Sequence, residues 1–127
     1  MLERLGVIFL GGCAGGCTRY VVSRAWPTPN DGFPWSTLAV NLIGAFILGV
    51  VVVLATQRRG PRHLRLLLGT GFCGALTTFG SVVVAADELL AHHHAPTAIA
   101  YLATTAVAAL LVVTAGVSLA RSLLTRW

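Results

Sequence analysis

The side chains of this sequence that can contact an ion inside an apolar segment are hydroxyls, one amide and aromatic rings. A run rich in glycine and threonine extends from Gly69 to Ser81, within the uncharged segment 66–86. Glycine and threonine in such numbers weaken a continuous helix. Backbone that leaves the helix inside a bilayer must be buried in protein or line a watery cavity. The sequence therefore predicts an interrupted membrane span whose free peptide groups form a candidate ion site.

Two further sets of polar residues lie on helical stripes. Thr37, Asn41 and Gly44 are spaced by four and three residues, which places them on one face of a helix. Burying an unpaired amide in hydrocarbon is costly, so Asn41 must face another helix, water or a ligand. Tyr101 and Thr105 share a face of the last apolar segment. Hydrogen bonding between helices, or to the helix's own carbonyls, is the alternative to a role in ion contact.

One arginine and one phenylalanine have side chains that are suited to interact with an anion. Arg19 lies near the outer end of the first apolar segment, where it is either an interfacial anchor or a source of anion attraction at a pore mouth. Phe79, in the interrupted span, can present the positive edge of its ring to an anion. Amide and hydroxyl groups supply hydrogen-bond donors. These groups favour an anion or a small neutral solute, whereas carbonyls freed by the interruption suit a cation.

The composition is that of an integral membrane protein. Hydrophobic residues make up 56% of the 127-residue chain and charged residues 10%, against about 25% charged residues in soluble domains. The mean hydropathy is +0.82. The sequence predicts an all-α membrane protein with one four-helix transmembrane domain over residues 1–127, whose spans cover approximately 4–23, 35–56, 65–87 and 95–120.

The arginines predict the orientation in the cell membrane. All nine basic residues are arginine, and seven fall on the side that holds both termini: Arg4, Arg58, Arg59, Arg62, Arg65, Arg121 and Arg126. Only Arg19 and Arg24 fall on the opposite side. Under the positive-inside rule, both termini are predicted to be cytoplasmic. The net charge of +5 then requires no nucleic-acid partner.

The acidic residues exclude most catalytic chemistry. Glu3, Asp31, Asp87 and Glu88 all lie outside the deep parts of the spans, and no serine–histidine–aspartate grouping, phosphate loop or metal-ligand pattern occurs in the sequence. We therefore expect no catalytic residue and no enzyme activity. A proton-coupled transporter would need an acid or histidine inside the membrane. Passive conduction is the simplest interpretation.

Three motifs identify a family. They are Gly11-Gly-Cys-Ala-Gly15 continuing through Arg19-Tyr20, Thr37-Leu-Ala-Val-Asn41-Leu-Ile-Gly44, and Gly71-Phe-Cys-Gly-Ala-Leu-Thr-Thr-Phe79. With these three motifs in this order, the chain resembles the small Fluc (CrcB) fluoride channels over nearly its whole length.

The resemblance implies a fold, a function and a cofactor. It implies an antiparallel dimer of four-helix subunits, each with a broken third helix, which exports fluoride passively and confers fluoride resistance. It also implies a structural sodium ion at the dimer interface, held by the backbone carbonyls of Gly74 and Thr77. The residues that match the family's pore asparagine, its first pore phenylalanine and its polar track are Asn41, Phe79, Tyr101 and Thr105.

Three positions depart from the family pattern. Val82 stands where the family has its second pore phenylalanine, Gly80 replaces a serine, and Ala109 replaces a track hydroxyl. Valine has no ring edge to present to an anion. Because the arginine bias should fix one orientation, we hypothesise pairing with a homologous subunit of opposite bias that supplies the missing ring. A homodimer that inserts both ways and tolerates Val82 is the alternative.

Two other classes of membrane protein are alternatives to a fluoride channel. A small multidrug transporter is also four-helical and antiparallel, but that class needs a membrane-embedded glutamate, which the first span lacks. A non-conducting regulatory membrane subunit would explain the departures at Val82 and Ala109.

Overall fold

The computed structural model describes residues 1–28, 32–56 and 62–125, and no strand occurs within these ranges. Arg58, Arg59, Arg126 and Asp31, which enter the charge argument, lie outside the described residues. Four helical segments are long and apolar enough to cross a membrane: Leu2–Ala25, Trp35–Thr56, Arg65–Ala91 and Ala95–Thr125. The all-α membrane fold is therefore confirmed.

Three of the four segments extend past the predicted limits. The added ends carry charged residues such as Glu3, Arg24 and Arg121. Such residues are excluded from the hydrocarbon but not from a helix that continues into the headgroup region. The expected spans reflect the apolar stretch, and the helices themselves are longer.

Three of the four spans are single helices, and the third span is composite. Helix α1 is Leu2–Ala25 and α2 is Trp35–Thr56. The third span follows a short turn, α3 (Arg62–Leu64), and comprises a π-helix (Arg65–Cys73), α4 (Gly74–Leu76) and α5 (Phe79–Ala91); α6 is Ala95–Thr125.

The third span is interrupted by two extended residues. Thr77 has φ −91° and ψ 127°, and Thr78 has φ −138° and ψ 130°. Threonine is β-branched and suits an extended backbone. The Thr78 side chain also caps α5, because its oxygen accepts a hydrogen bond from the Ser81 N–H at 3.2 Å. The interruption expected within residues 69–81 thus lies at the two threonines, while the glycines before them stay helical.

Those glycines allow close helix packing. Gly11 and Gly15 of α1 are buried against the third span, and a Cβ atom added at Gly71 would lie 2.5 Å from the Ile8 carbonyl oxygen. Similarly, a Cβ atom added at Gly116 of α6 would lie 2.5 Å from the Phe46 carbonyl oxygen of α2. Small residues let membrane helices approach at backbone distance. The subunit is thus built from two close pairs, α1 with the third span and α2 with α6.

A buried cluster links α2, α5 and α6. It consists of Leu38, Val82, Ala86, Leu89, Ala98 and Tyr101. Helix α5 then ends in a left-handed residue, His93, at φ 62°. The His93 N–H bonds to the Leu90 carbonyl at 3.0 Å and the His94 N–H to the Leu89 carbonyl at 2.8 Å. These two bonds form a Schellman motif with histidine at the position that usually holds glycine.

Candidate ion-permeation site

The interruption is held by hydrogen bonds that converge on Thr78. The Arg19 Nη1 atom of α1 donates to Thr78 Oγ1 at 2.7 Å. The Thr78 N–H donates to Asn41 Oδ1 of α2 at 3.2 Å. Thr78 Oγ1 also lies 2.7 Å from Ser81 Oγ. One residue of the interruption therefore ties together α1, α2 and α5.

A small polar cavity adjoins these bonds. Its volume is about 140 Å³, and its polar lining residues are Arg19, Ser23, Ser36, Thr37, Asn41 and Ser81. A wider cavity of about 510 Å³ shares Arg19, Thr37 and Ser81 with it and also reaches Thr28 and Glu88. Three residues singled out from the sequence thus line one space: Arg19, Thr37 and Asn41. This space offers a guanidinium, hydroxyls and an amide to a solute.

The polar stripe of α2 lies on one face, as its spacing predicts, and that face packs against the third span. A Cβ atom added at Gly44 would overlap the Thr77 side chain, Asn41 accepts from Thr78, and Thr37 lines both cavities. Arg19 is half-buried and bonded to Thr78. The Arg19 guanidinium therefore binds the interrupted segment through Thr78. The sequence had predicted an interfacial anchor or anion attraction for this residue, and not this hydrogen bond.

The predicted polar residues of α6 lie apart from these cavities. Tyr101 is 0% exposed. Its hydroxyl and the Thr105 hydroxyl are buried and have no hydrogen-bond partner among the described residues. The Tyr101 ring meets Phe33 edge to face, with centroids 5.4 Å apart. Because unpaired buried hydroxyls are costly, the pair is suited to a small polar ligand or water.

Phe79 faces away from the subunit. Its side chain is 80% exposed, and it lines neither cavity that contains Arg19. Cβ atoms added at Gly74 and Gly80 would meet nothing within 4 Å. Gly74, Phe79 and Gly80 are exposed and form the open face of the interruption, and Gly80 also lines the wider cavity. Non-helical backbone at membrane depth is not tolerated in contact with lipid.

The carbonyls of Gly74 and Thr77 lack their regular helical donors. In a continuous α-helix the Thr78 N–H would bond to Gly74 and the Ser81 N–H to Thr77. Here the Thr78 N–H bonds to Asn41 Oδ1 and the Ser81 N–H to Thr78 Oγ1. Freed carbonyls in unwound membrane helices are suitable ligands for Na⁺. In the described part of the chain, no group of three or more His, Cys, Asp or Glu side chains could hold a metal ion instead.

Val82 lies in the core, away from the open face. It is 4% exposed and belongs to the cluster that contains Leu38 and Tyr101. A ring at this position would therefore have to pack near Tyr101.

Sequence reasoning missed Thr78 and Ser81 as site residues. Both line the wider cavity and both take part in the bonds around the interruption. A usable signal was present, since threonine directly before an apolar helical segment is a favoured N-cap residue. Arg19 and Asn41 could not be linked to Thr78 in this way, because those contacts span 59 and 37 residues.

The chain is similar to known proteins over most of its length. A family profile described as "CrcB-like protein, Camphor Resistance (CrcB)" matches residues 6–117. The chain is 44% identical over 108 residues to "Fluoride-specific ion channel FluC 1" of Streptomyces coelicolor, covering 84% of this chain and 70% of that protein. It is 42% identical over 103 residues to "Fluoride-specific ion channel FluC 2" of Streptomyces avermitilis, covering 80% and 65%. It is 38% identical over 126 residues to "Fluoride-specific ion channel FluC" of Hahella chejuensis, covering 97% and 98%.

Proposed function

The chain belongs to the CrcB-like family, and from this premise we propose that it is a subunit of a passive, fluoride-specific ion channel in the cell membrane. The channel lets fluoride leave the cell down its gradient and so confers fluoride resistance. The observation that carries the proposal is the convergence of Arg19, Thr37 and Asn41 on one cavity beside the interrupted span. This arrangement is a permeation site rather than a catalytic one.

The geometry suits a small, strongly hydrated anion. To enter the protein, fluoride must exchange water for other hydrogen-bond donors, and the cavity supplies the Asn41 amide, the Thr37 hydroxyl and the Arg19 guanidinium. A half-buried cation attracts an anion more strongly than one in bulk water does. The unpaired hydroxyls of Tyr101 and Thr105 are further donors on α6. Phe79 is proposed to present its ring edge to the anion from the open face.

A second subunit would cover the open face. Gly74, Phe79 and Gly80 leave backbone and an aromatic ring uncovered at membrane depth, and such backbone requires protein around it. An antiparallel arrangement would bring two interruptions together at the centre of the dimer. The Phe79 ring would then be buried between the subunits, next to the permeation route.

The same contact would create the sodium site. The Gly74 and Thr77 carbonyls are the ones whose helical donors are diverted to side chains, which supports them as the ligands. A bound Na⁺ supplies positive charge that offsets the carbonyl dipoles where the two interruptions meet. Anomalous scattering after replacement of Na⁺ by a heavier monovalent cation tests this proposal. An anomalous peak at the centre of the dimer is expected. If crystals of the intact dimer show no such peak, the proposed sodium site is wrong.

The pairing partner is proposed to be a homologue. Seven arginines against two should insert this subunit with both termini in the cytoplasm, so an antiparallel partner needs the opposite bias. Relatives named FluC 2 and FluC 3 both occur in Streptomyces avermitilis, which fits a family in which one species has more than one member. Since Val82 is buried in the core of this subunit, the partner would supply the second phenylalanine to the competent pore from its own corresponding position. A dual-topology homodimer remains the alternative.

Fluoride efflux from liposomes tests the function and the pairing. The purified chain, alone and coexpressed with a homologue of opposite arginine bias, is reconstituted and followed with a fluoride electrode, with chloride efflux as the selectivity measure. We expect fluoride efflux from the pair, abolished by Asn41→Ala. Thr114→Val is the matched control, because the Thr114 hydroxyl bonds to carbonyls of its own helix. Robust efflux from the chain alone would refute obligate pairing, and none from either preparation would refute the function.

A further inference from the structure

The contact between Asn41 and Thr78 determines which way the Asn41 amide faces. A backbone N–H can only donate, so the Asn41 atom 3.2 Å from the Thr78 nitrogen must be the carboxamide oxygen. The NH₂ group is then directed away from the interruption. It donates to no protein acceptor among the described residues, while Asn41 lines the cavity of about 140 Å³. The amide therefore has its acceptor engaged and its donors free.

The Thr78 hydroxyl in turn holds this backbone N–H in place. Thr78 Oγ1 accepts from Arg19 Nη1 at 2.7 Å and from the Ser81 N–H at 3.2 Å. These bonds fix the extended residue between α1 and the start of α5, so its N–H points at α2. Packing cannot orient the amide by itself, since its oxygen and nitrogen ends have nearly the same shape.

We propose that Thr78 is a positioning residue, which keeps the NH₂ group of Asn41, rather than its oxygen, facing the permeating anion. This inference rests on the proposed function, because it assumes that the solute in the cavity is an anion. In the opposite orientation the amide would present its negative oxygen to that anion and leave the Thr78 N–H without an acceptor. The interruption thus selects the solute charge through the orientation of a single neutral side chain.

Two substitutions of Asn41 test the orientation. Asn41→Asp keeps an oxygen that accepts a hydrogen bond from the Thr78 N–H. Arg19 lines the same cavity and supplies the counter-charge for the new carboxylate. The substitution removes the NH₂ donors of the amide. Asn41→Leu removes both the oxygen and the donors. We expect the melting temperature of Asn41→Asp to stay within about 3 °C of the wild type and that of Asn41→Leu to fall by about 5 °C or more. Fluoride efflux should fall at least about tenfold in both.

The two measurements separate the possible failures. If Asn41→Asp is destabilised as much as Asn41→Leu, the oxygen is not what the interruption needs, and the inferred orientation is wrong. If the wild-type channel carries no fluoride, the proposed function fails, while the melting temperatures of the two variants still decide the orientation.

Substitution of Thr78 tests the positioning role. Thr78→Val keeps the branched shape and the backbone N–H but removes the oxygen that Arg19 and Ser81 contact. We expect fluoride efflux per folded channel to fall about threefold to tenfold in Thr78→Val and to return to within about twofold of the wild type in Thr78→Ser. Thr114→Val, the same chemical change on α6, should leave efflux unchanged.

A spectroscopic measurement distinguishes positioning from simple helix capping. In the wild type and Thr78→Ser, added fluoride should shift the side-chain amide proton signal of Asn41, and in Thr78→Val this shift should be lost. A purely structural cap would lower the melting temperature without changing efflux per folded channel or the amide signal. That result would overturn the proposal.

Discussion

The glycine contact between α1 and the third span allows a sharp test with two neighbouring residues. Gly15 is buried, and a Cβ atom added there would overlap the Phe72 carbonyl oxygen and lie 3.1 Å from the Leu76 nitrogen. Next to it, a Cβ atom added at Gly16 would meet nothing within 4 Å. Both changes to alanine add the same methyl group and the same helix propensity. Only the surroundings differ.

The expected magnitudes follow from these surroundings. Overpacking costs about 1–3 kcal/mol, and the upper end applies to Gly15→Ala because backbone atoms cannot rotate out of the way. Gly16→Ala should be neutral or gain up to about 1 kcal/mol from helix propensity. At roughly 4 °C per kcal/mol, Gly15→Ala should melt about 8–12 °C below Gly16→Ala.

The assay is thermal unfolding of the two purified variants in the same detergent, followed by circular dichroism and by the fraction that remains monodisperse. The wild type is the reference. Melting temperatures of Gly15→Ala and Gly16→Ala within about 2 °C of each other would refute the reasoning, because they would show that backbone contact at Gly15 does not hold the two elements together.

Three further predictions concern the site and its supports. Tyr101→Phe removes a buried hydroxyl that has no hydrogen-bond partner among the described residues. The free energy of unfolding should stay the same or rise by up to about 1 kcal/mol, while fluoride efflux falls. A lower melting temperature would show that the hydroxyl does have a partner. His93→Gly relieves the left-handed backbone at φ 62° and should stabilise the protein by about 1 kcal/mol in thermal unfolding, with His92→Gly as the control that should not. Phe79→Ala should change the melting temperature of the separated subunit little, since the ring is 80% exposed, yet weaken dimer formation in crosslinking; an intact dimer would argue against an interface at the open face.

The sequence predicted most reliably what depends on helical periodicity and apolar length. The second span, Trp35–Thr56, has the predicted limits, and Thr37, Asn41 and Gly44 lie on one face as their spacing requires. These features follow from local geometry alone, because a helix places residues three and four apart on one side.

Other features of the fold depend on contacts between residues that lie far apart in the sequence, which a short stretch of sequence does not reveal. The glycines from Gly69 onward were expected to weaken the helix, yet Gly71 stays helical and provides close contact with α1. A glycine needed for contact and a glycine needed for freedom look the same in a sequence. The burial of Val82 beside Tyr101 likewise follows from packing between α5 and α6, not from either segment.

The bonds around Thr78 also have a consequence for biosynthesis. Its partners, Arg19 and Asn41, lie 59 and 37 residues earlier, so both are synthesised before Thr78. The first two helices, α1 and α2, therefore act as a template against which the third segment acquires its bend. A nascent chain that ends before residue 78 would hold the Asn41 carboxamide and the Arg19 guanidinium without the partner that this bend supplies to both.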